Sequence, residues 1–376
     1  MKIVYNIPSI VRMAGMERIL AIKANYLALQ KNIEVVIITY EQKNQPLAFD
    51  FSDKIRFYDL GINYTKCQGT NIFWNKIRRM RYIARHKKRL AEILAAEKPD
   101  ITISMMSGRE REWLYKLKDG SKKVLECHFS YYWYRDIKGL IDRYKISRFI
   151  GRIAHYDRFV VLTEEDRKDW GTRENIMVIP NALTFYPQQQ ADLSQKRVIA
   201  VGRLREQKRF DRLINIWAKI EPHFPDWRLT IIGSGELQGD LERQIRTLGL
   251  KQIEILPPHT DIVKDYLNSS IYAMTSQYEG FPMVLHEAMS CGLPVVTYTC
   301  KCGPRDIIQE GEDGFLVEEG NEAEFIKRLQ ELMNDFHLRQ RMGEAARRNI
   351  IRFDLPSVML KWESLFTALL RNERSI

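Results

Sequence analysis

Nowhere in its 376 residues does the chain contain 18 consecutive apolar residues, which excludes a membrane-spanning helix of ordinary length. Its five cysteines include no Cys-x-x-Cys pair, so they suit neither a disulfide framework nor a zinc site. Cys300-Lys301-Cys302 is too tightly spaced for a two-residue metal knuckle. Reduced thiols in a cytoplasmic protein are the expectation. The opening Met1-Lys2-Ile3-Val4-Tyr5-Asn6-Ile7-Pro8 has one basic residue and an apolar run broken by Pro8, too little for a signal peptide. Internal repeats and low-complexity tracts are lacking as well.

Apolar residues make up 45% of the chain and aromatics 11%, a composition that folds. The length exceeds one ordinary core and suits two domains. Charge is divided unevenly between them. Residues 1–185 hold 34 Lys+Arg against 21 Asp+Glu, a net of +13, whereas residues 186–376 hold 25 against 27, a net of −2. The first half is therefore expected to face something anionic: phospholipid, nucleic acid or a phosphorylated acceptor.

Short β-rich runs alternate with helical patterns, which predicts parallel sheets covered by helices. Strands are expected at Lys2–Ile7, Val35–Thr39, Ile101–Met105, Lys123–Cys127 and Phe159–Thr163. A helix is expected over Met16–Gln30, with Ile19, Ile22, Tyr26 and Leu29 on its inner stripe. A polar stretch from Tyr186 to about Lys196 reads as a linker. Beyond it come strands at Val198–Val201, Arg228–Ile232, Ile253–Leu256, Ile271–Met274 and Val295–Thr297, with helices at Phe210–Lys219 and Leu241–Leu248. The prediction is an α/β protein of two doubly wound Rossmann-like domains, 1–185 and 186–376, facing across a cleft that holds the active site.

The densest chemical signal runs from Glu279 to Val296. A strand ends near Ser276, Gly280 lets backbone approach a ligand, and a helix follows at once. The N–H groups around Phe281, Met283 and Val284 can then hold phosphate. Glu279 precedes the helix and Glu287 lies about two turns into it, so both carboxylates can flank one ligand. The bland reading is a strand–loop–helix with an acidic start, which helix N-termini favour anyway. Arg203 and Lys208 follow the first strand of the second domain and can neutralise a diphosphate. Gly233-Ser234-Gly235 repeats the strand-then-glycine form, without a full dinucleotide fingerprint. Gly15 lies in another phosphate-sized turn.

With these motifs the chain resembles glycosyltransferase family 4, of the two-domain GT-B fold, and its relatives that build bacterial surface polysaccharides and lipid-linked glycans. The most specific element is Glu-x7-Glu, matched by Glu279 and Glu287. The resemblance implies that Glu287 binds the nucleotide ribose, Glu279 the donor-sugar hydroxyls, and Arg203 and Lys208 the diphosphate. Gly15 matches a glycine-rich turn over the phosphate, although Ala14 replaces its usual second glycine. His128, in Glu126-Cys127-His128, matches the cleft histidine near the sugar, though Glu126 departs from the family triplet. His259 falls where the nucleotide base lies. The implied reaction retains anomeric configuration, with a nucleotide-diphosphate sugar as co-substrate. UDP-linked galactose or N-acetylgalactosamine is the implied donor class, a link carried by Gly303-Pro304-Arg305-Asp306. No Asp-x-Asp occurs, so no obligatory metal or other cofactor is expected.

Phe73–Lys98 reads as an amphipathic helix with Phe73, Ile77, Met80 and Ala84 on an apolar stripe that Leu90, Ile93 and Leu94 extend. Eight basic residues lie between Lys76 and Arg89. Such a helix suits an anionic membrane, with Arg78, Arg79, Arg81, Lys87, Lys88 and Arg89 facing it; a solvated face is the alternative. The expected partners are thus a nucleotide-sugar donor, a lipid-linked or oligosaccharide acceptor and the inner face of the cell membrane. No nucleic-acid motif is present. Aromatics from Phe129 to Tyr134 read as core rather than as a sugar platform. The competing functions are a nucleotide-sugar epimerase or hydrolase on the same fold and a non-catalytic sugar-nucleotide-binding adaptor.

Overall fold

The computed structural model describes residues 1–12, 14–31, 33–64, 72–135 and 139–371, and leaves aside the side chains of residues 72, 73, 135, 140 and 141, so Phe73 of the expected stripe lies outside it. The chain divides into two compact units. One takes Met1–Leu162, Arg167–Ile179 and the chain from Val358; the other takes Thr163–Asp166 and Pro180–Ser357.

The first unit is built on strands β1 (Lys2–Asn6), β2 (Glu34–Thr39), β3 (Arg56–Asp59), β4 (Ile101–Ser104), β5 (Lys122–Glu126), β6 (Arg158–Val161) and β7 (Ile176–Val178). All pair in parallel, in the order β3-β2-β1-β4-β5-β6-β7. Its helices are α1 (Gly15–Gln30), α2 (Ile72–Glu97), α3 (Tyr132–Arg135) and α4 (Leu140–Ile153), with α5 (Glu164–Trp170) at the unit boundary. Parallel strands covered on both faces need apolar side chains on both, and β2 supplies Val35-Val36-Ile37-Ile38, all buried. Only the edge strand β3 is exposed throughout.

Helix α1 turns a different stripe inward from the one expected. Leu20, Ala24, Leu27 and Ala28 are buried together with Lys23, while Leu29 is exposed. Small alanines let the helix lie close to the sheet, and Lys23 is tolerated on that face because a carboxylate meets it there. Helix α2 likewise rotates its stripe: His86, Leu90 and Leu94 are buried, whereas Met80 and Ala84 are exposed. The 129–134 aromatics are mostly core, with Tyr131 and Tyr134 edge-on to Trp170 at 5.0 and 5.7 Å; Trp133 alone among these is exposed.

The second unit repeats the plan with β8 (Arg197–Val201), β9 (Arg228–Ile232), β10 (Ile253–Leu256), β11 (Ile271–Met274), β12 (Val295–Tyr298) and β13 (Gly314–Val317), ordered β10-β9-β8-β11-β12-β13. Helices α6 (Phe210–Ile220), α7 (Gln238–Thr247), α8 (Ile262–Leu267), α9 (Met283–Ser290), α10 (Pro304–Ile307), α11 (Glu322–Asn334) and α12 (Phe336–Ile350) accompany it. A last helix, α13 (Leu355–Leu370), returns the chain to the first unit. In α6 the spacing of Leu213, Ile214, Trp217 and Ile220 makes one apolar face, fully buried. Each such side chain contributes about 1.5–3 kcal/mol of transfer free energy, and this holds α6 on its sheet.

The polar stretch after Tyr186 is packed coil within the second unit rather than a linker. Arg347 donates to the carbonyls of Pro187, Gln188 and Gln189 at 2.5, 3.3 and 3.2 Å and stacks on Tyr186 at 4.2 Å. A run of backbone carbonyls gripped by one guanidinium is invisible to a composition-based reading.

Candidate functional site

In each sheet the strand order reverses beside its first strand, between β1 and β4 and between β8 and β11. Doubly wound sheets bind ligands outside the carboxyl ends of strands at such a reversal. In the second unit, the segments leaving β8 and β11 carry Lys208 and Glu279. They meet there, with Lys208 Nζ donating to Glu279 Oε1 at 2.6 Å.

Backbone contacts set this meeting. Gln277 donates its N–H to the Gln207 carbonyl at 2.8 Å, and the Gln207 side chain returns a bond to the Tyr278 carbonyl at 2.8 Å. Glu279 is bonded on its other side to the loop after β12, through its N–H to the Lys301 carbonyl at 2.5 Å and its carbonyl from the Cys302 N–H at 3.1 Å. The Glu279 segment is thereby held from the loops after β8 and β12, and its carboxylate by Lys208. Gly202 leaves room for the Lys208 stem, since a Cβ there would lie 3.1 Å from Lys208 Cε. Arg203 is exposed beside it.

Helix α9 begins at Met283 after Pro282, with no side-chain cap. Its first N–H groups are left to an outside acceptor, and the helix dipole favours an anion there. The Phe281 side chain does not share that surface: it packs edge-on against His286 and Phe353 at 4.7 and 5.8 Å. Burial drives the His286 pKa down to about 3, so this neighbour of Glu287 is a neutral core residue.

Glu287 lies on the inner side of α9, 8% exposed. Tyr266 of α8, itself fully buried, donates its hydroxyl to Glu287 Oε2 at 3.0 Å, and Thr184 approaches Oε1 at 3.5 Å. Neither partner was legible in the sequence, because Tyr266 stands 21 positions and Thr184 103 positions away. Asp265, beside Tyr266, bridges Arg197 at 3.1 Å and His259 at 2.9 Å, which places His259 at a half-exposed rim. Gly235 has a packing duty: a Cβ would fall 2.3 Å from the Leu204 carbonyl oxygen, so its glycine lets the turns after β8 and β9 touch.

In the first unit Gly15 opens α1, and a Cβ there would meet nothing within 4 Å. Packing therefore does not demand this glycine. His128 follows β5, its Nε2 3.0 Å from Glu126 Oε1. Lys23 reaches the same oxygen. Burial alone would raise the Glu126 pKa, but the charges of Lys23 and then His128 overcome it and hold the carboxyl at about 2. On α2, Trp74, Arg78, Arg81, Arg85 and Lys88 recur at three-and-four spacing along one exposed face, and Arg79 is exposed too. Arg89 is exposed as well, although its guanidinium donates to the Leu60 carbonyl, and Lys87 lies 5.5 Å from the Trp113 ring. Of the six basic residues expected to act together, only Lys87 is half-buried; the other five are exposed.

Residues 184–349 match the family model described as glycosyl transferases group 1. An uncharacterized glycosyltransferase of Haemophilus influenzae is 32% identical over 229 residues, 59% of this chain and 65% of that protein. The amylovoran biosynthesis glycosyltransferase AmsD of Erwinia amylovora is 34% identical over 220 residues, 56% of this chain and 62% of its own length. The match spans less than two thirds of either relative. A solved mutant of Staphylococcus aureus TarM, in complex with fondaparinux, α-GlcNAc-glycerol and UDP, superposes with a TM-score of 0.77 over 97% of this chain and 99% of that one, at 17% identity. The fold is GT-B, and the chain resembles bacterial glycosyltransferases of surface-polysaccharide synthesis, as its motifs indicated.

Proposed function

We propose that the protein is a retaining glycosyltransferase that moves a sugar, of galactose or N-acetylgalactosamine type, from a UDP-linked donor to a lipid-linked or polysaccharide acceptor of a bacterial surface glycan. The observation that carries this reading is the Lys208–Glu279 contact at the strand reversal, set against the uncapped start of α9. A cation, helix N–H groups and a carboxylate there form a holder for a diphosphate with a hydroxyl-bearing group attached. The UDP in the TarM complex and the amylovoran role of AmsD support the donor and acceptor classes.

In the reaction, the bond from the anomeric carbon to the diphosphate breaks, and the acceptor oxygen bonds to that carbon on the same face. The acceptor proton passes to the departing phosphate oxygen. Lys208, Arg203 and the N–H groups at Met283 and Val284 stabilise the charge that develops. Glu279 holds sugar hydroxyls, Glu287 the ribose and His259 the edge of the base. Calorimetric titration with UDP, followed by transfer and hydrolysis assays across a panel of nucleotide sugars, tests this assignment. Isomerised donor would point to an epimerase, and binding without turnover to an adaptor; either outcome overturns the transferase reading.

No metal enters the proposed mechanism, so turnover is expected to be unchanged in excess EDTA. Complete loss, restored by Mg²⁺ or Mn²⁺, would contradict it.

The acceptor is reached at the inner face of the cell membrane, to which the exposed face of α2 binds. No helix among the described residues is long and apolar enough to cross a membrane. Near anionic lipid each basic residue adds about 1 kcal/mol, so Arg78→Gln, Arg79→Gln and Arg81→Gln together should weaken liposome binding roughly 100-fold. Lys87→Gln should weaken it less, because Lys87 is half-buried beside the Trp113 ring. Co-sedimentation with anionic and neutral vesicles at two salt strengths measures this, and equal binding to both vesicle types would return the helix to solvent.

A further inference from the structure

In the second unit, the cation at the strand reversal is opposed by a carboxylate that cannot move away. Lys208 Nζ donates to Glu279 Oε1 at 2.6 Å, and the two side chains are 15% and 8% exposed. Both backbones are pinned. The Lys208 N–H donates to the Arg205 carbonyl at 3.0 Å, and the Thr275 hydroxyl donates to the Lys208 and Arg209 carbonyls at 3.3 and 3.0 Å. Glu279 is tied through its own N–H and carbonyl to Lys301 and Cys302. Its second oxygen, Oε2, accepts from none of the described residues. The neighbouring Arg205 and Arg209 are paired as well, with Glu236 at 3.2 Å and Asp211 at 2.9 Å. A site built only to grip phosphate would surround its lysine with donors; here a fixed negative charge sits against it.

We infer that Glu279 discriminates donor from product: its carboxylate admits a diphosphate that carries a hydroxyl-bearing group and disfavours a bare one, so that the spent nucleotide leaves. The inference rests on the transferase reading, which puts the diphosphate at Lys208, and it gives the carboxylate a second duty beyond holding the sugar. In the donor, the second phosphate is a diester with a single negative charge, and the attached sugar has hydroxyls to donate to Oε2. Transfer breaks the bond from the anomeric carbon to the phosphate oxygen. The acceptor proton taken up by that oxygen then passes to water, because a terminal phosphate has a second pKa of about 6. The product thus carries one negative charge more than the donor and presents acceptor oxygens only. A carboxylate also only accepts, so the two anions repel across the one ammonium between them. Loss of the sugar becomes loss of affinity.

The test titrates UDP and pyrophosphate into the whole protein by calorimetry at pH 7.5, where the stoichiometry reports the folded fraction of each variant. Glu279→Gln keeps the shape and removes the charge. It should bind both ligands roughly 10-fold more tightly, toward the lower end of what like charges cost when brought together. A carboxylate that merely holds its loop predicts the opposite sign. Glu279→Ala should tighten pyrophosphate too, since the effect lies in the charge and not in the amide. Lys208→Met with Glu279→Gln removes the pair as a unit and should bind pyrophosphate within about three-fold of the wild type, the two single effects offsetting each other. Turnover forms a separate arm. With whichever donor the wild type uses, Glu279→Gln should turn over more slowly, and UDP should inhibit it more strongly. Pyrophosphate binding that tightens in neither single variant, or falls well below the wild type in the double variant, overturns the inference. A wild type that transfers from no donor overturns the transferase reading and leaves the pyrophosphate result standing.

Discussion

Exchanging Lys208 for methionine is expected to lower turnover by roughly 100- to 1,000-fold, the loss seen when one preorganised group is removed from a site where charge develops. Methionine keeps the aliphatic stem that packs beside Gly202, so the change falls on the charge. Two duties end together. The departing diphosphate loses a cation, and Glu279, 6% exposed, loses its ion pair. The first duty acts mainly in the transition state, so kcat should fall further than UDP affinity, which should weaken by no more than about 10-fold. Arg203→Gln should do less and do it in a salt-dependent way, because an exposed guanidinium is screened over roughly 8 Å at physiological ionic strength. Full turnover in Lys208→Met, or a loss lying wholly in UDP affinity, would remove Lys208 from the chemical step.

Glu287→Ala should weaken UDP binding by about 1.5–3 kcal/mol, the contribution of a hydrogen bond to a charged group, or roughly 10- to 150-fold. The geometry adds a second effect. Tyr266 would keep a buried hydroxyl with its acceptor gone, at a cost of about 1–3 kcal/mol in stability. Melting temperature and affinity should therefore both fall, and Glu287→Ala combined with Tyr266→Phe should recover part of the first and none of the second. Pyrophosphate separates the ribose role from a general defect. Its affinity should survive Glu287→Ala, because it has no ribose to lose, and equal losses for UDP and pyrophosphate would show that the carboxylate does not read the ribose.

The second unit was the more legible half of the fold. Arg228–Ile232 and Ile271–Met274 are strands with the bounds their apolar runs predict, because both faces of a central parallel strand are buried; Ile253–Leu256, at the sheet edge, is matched too because its side chains are still half-buried. Strand β3 escaped notice for the opposite reason: Arg56, Phe57, Tyr58 and Asp59 are all exposed, and an edge strand carries no burial pattern. Helix α1 was read one stripe out of register. Lys23 breaks its buried face, and only the distant Glu126 makes that placement tolerable. At the candidate site, the first layer was legible and its supports were not. Glu279, Glu287 and Lys208 are marked by local spacing in the segments after β8 and β11, Glu287 on the helix α9 that follows. Tyr266, Thr184, Gln207 and Lys23 take their importance from contacts 21 to 103 residues distant, and no local pattern carries those.

Helix α13 has a consequence for how the protein is made. The first unit draws its chain from both sides of the second, and Trp362, which lies over Lys23, is among the last of its core to be synthesised. Roughly 180 residues separate the end of the sheet at Val178 from Val358. At a synthesis rate of about 5–20 residues per second, that is an interval of roughly 10–40 s. During it, the nascent first unit has its seven strands but not the helix that covers Lys23, so an apolar face and a charged amine stay open to the surroundings. The second unit has no such wait, since its sequence is complete at Ser357. Folding on the ribosome should therefore finish in the reverse of chain order, the later unit closing before the earlier one.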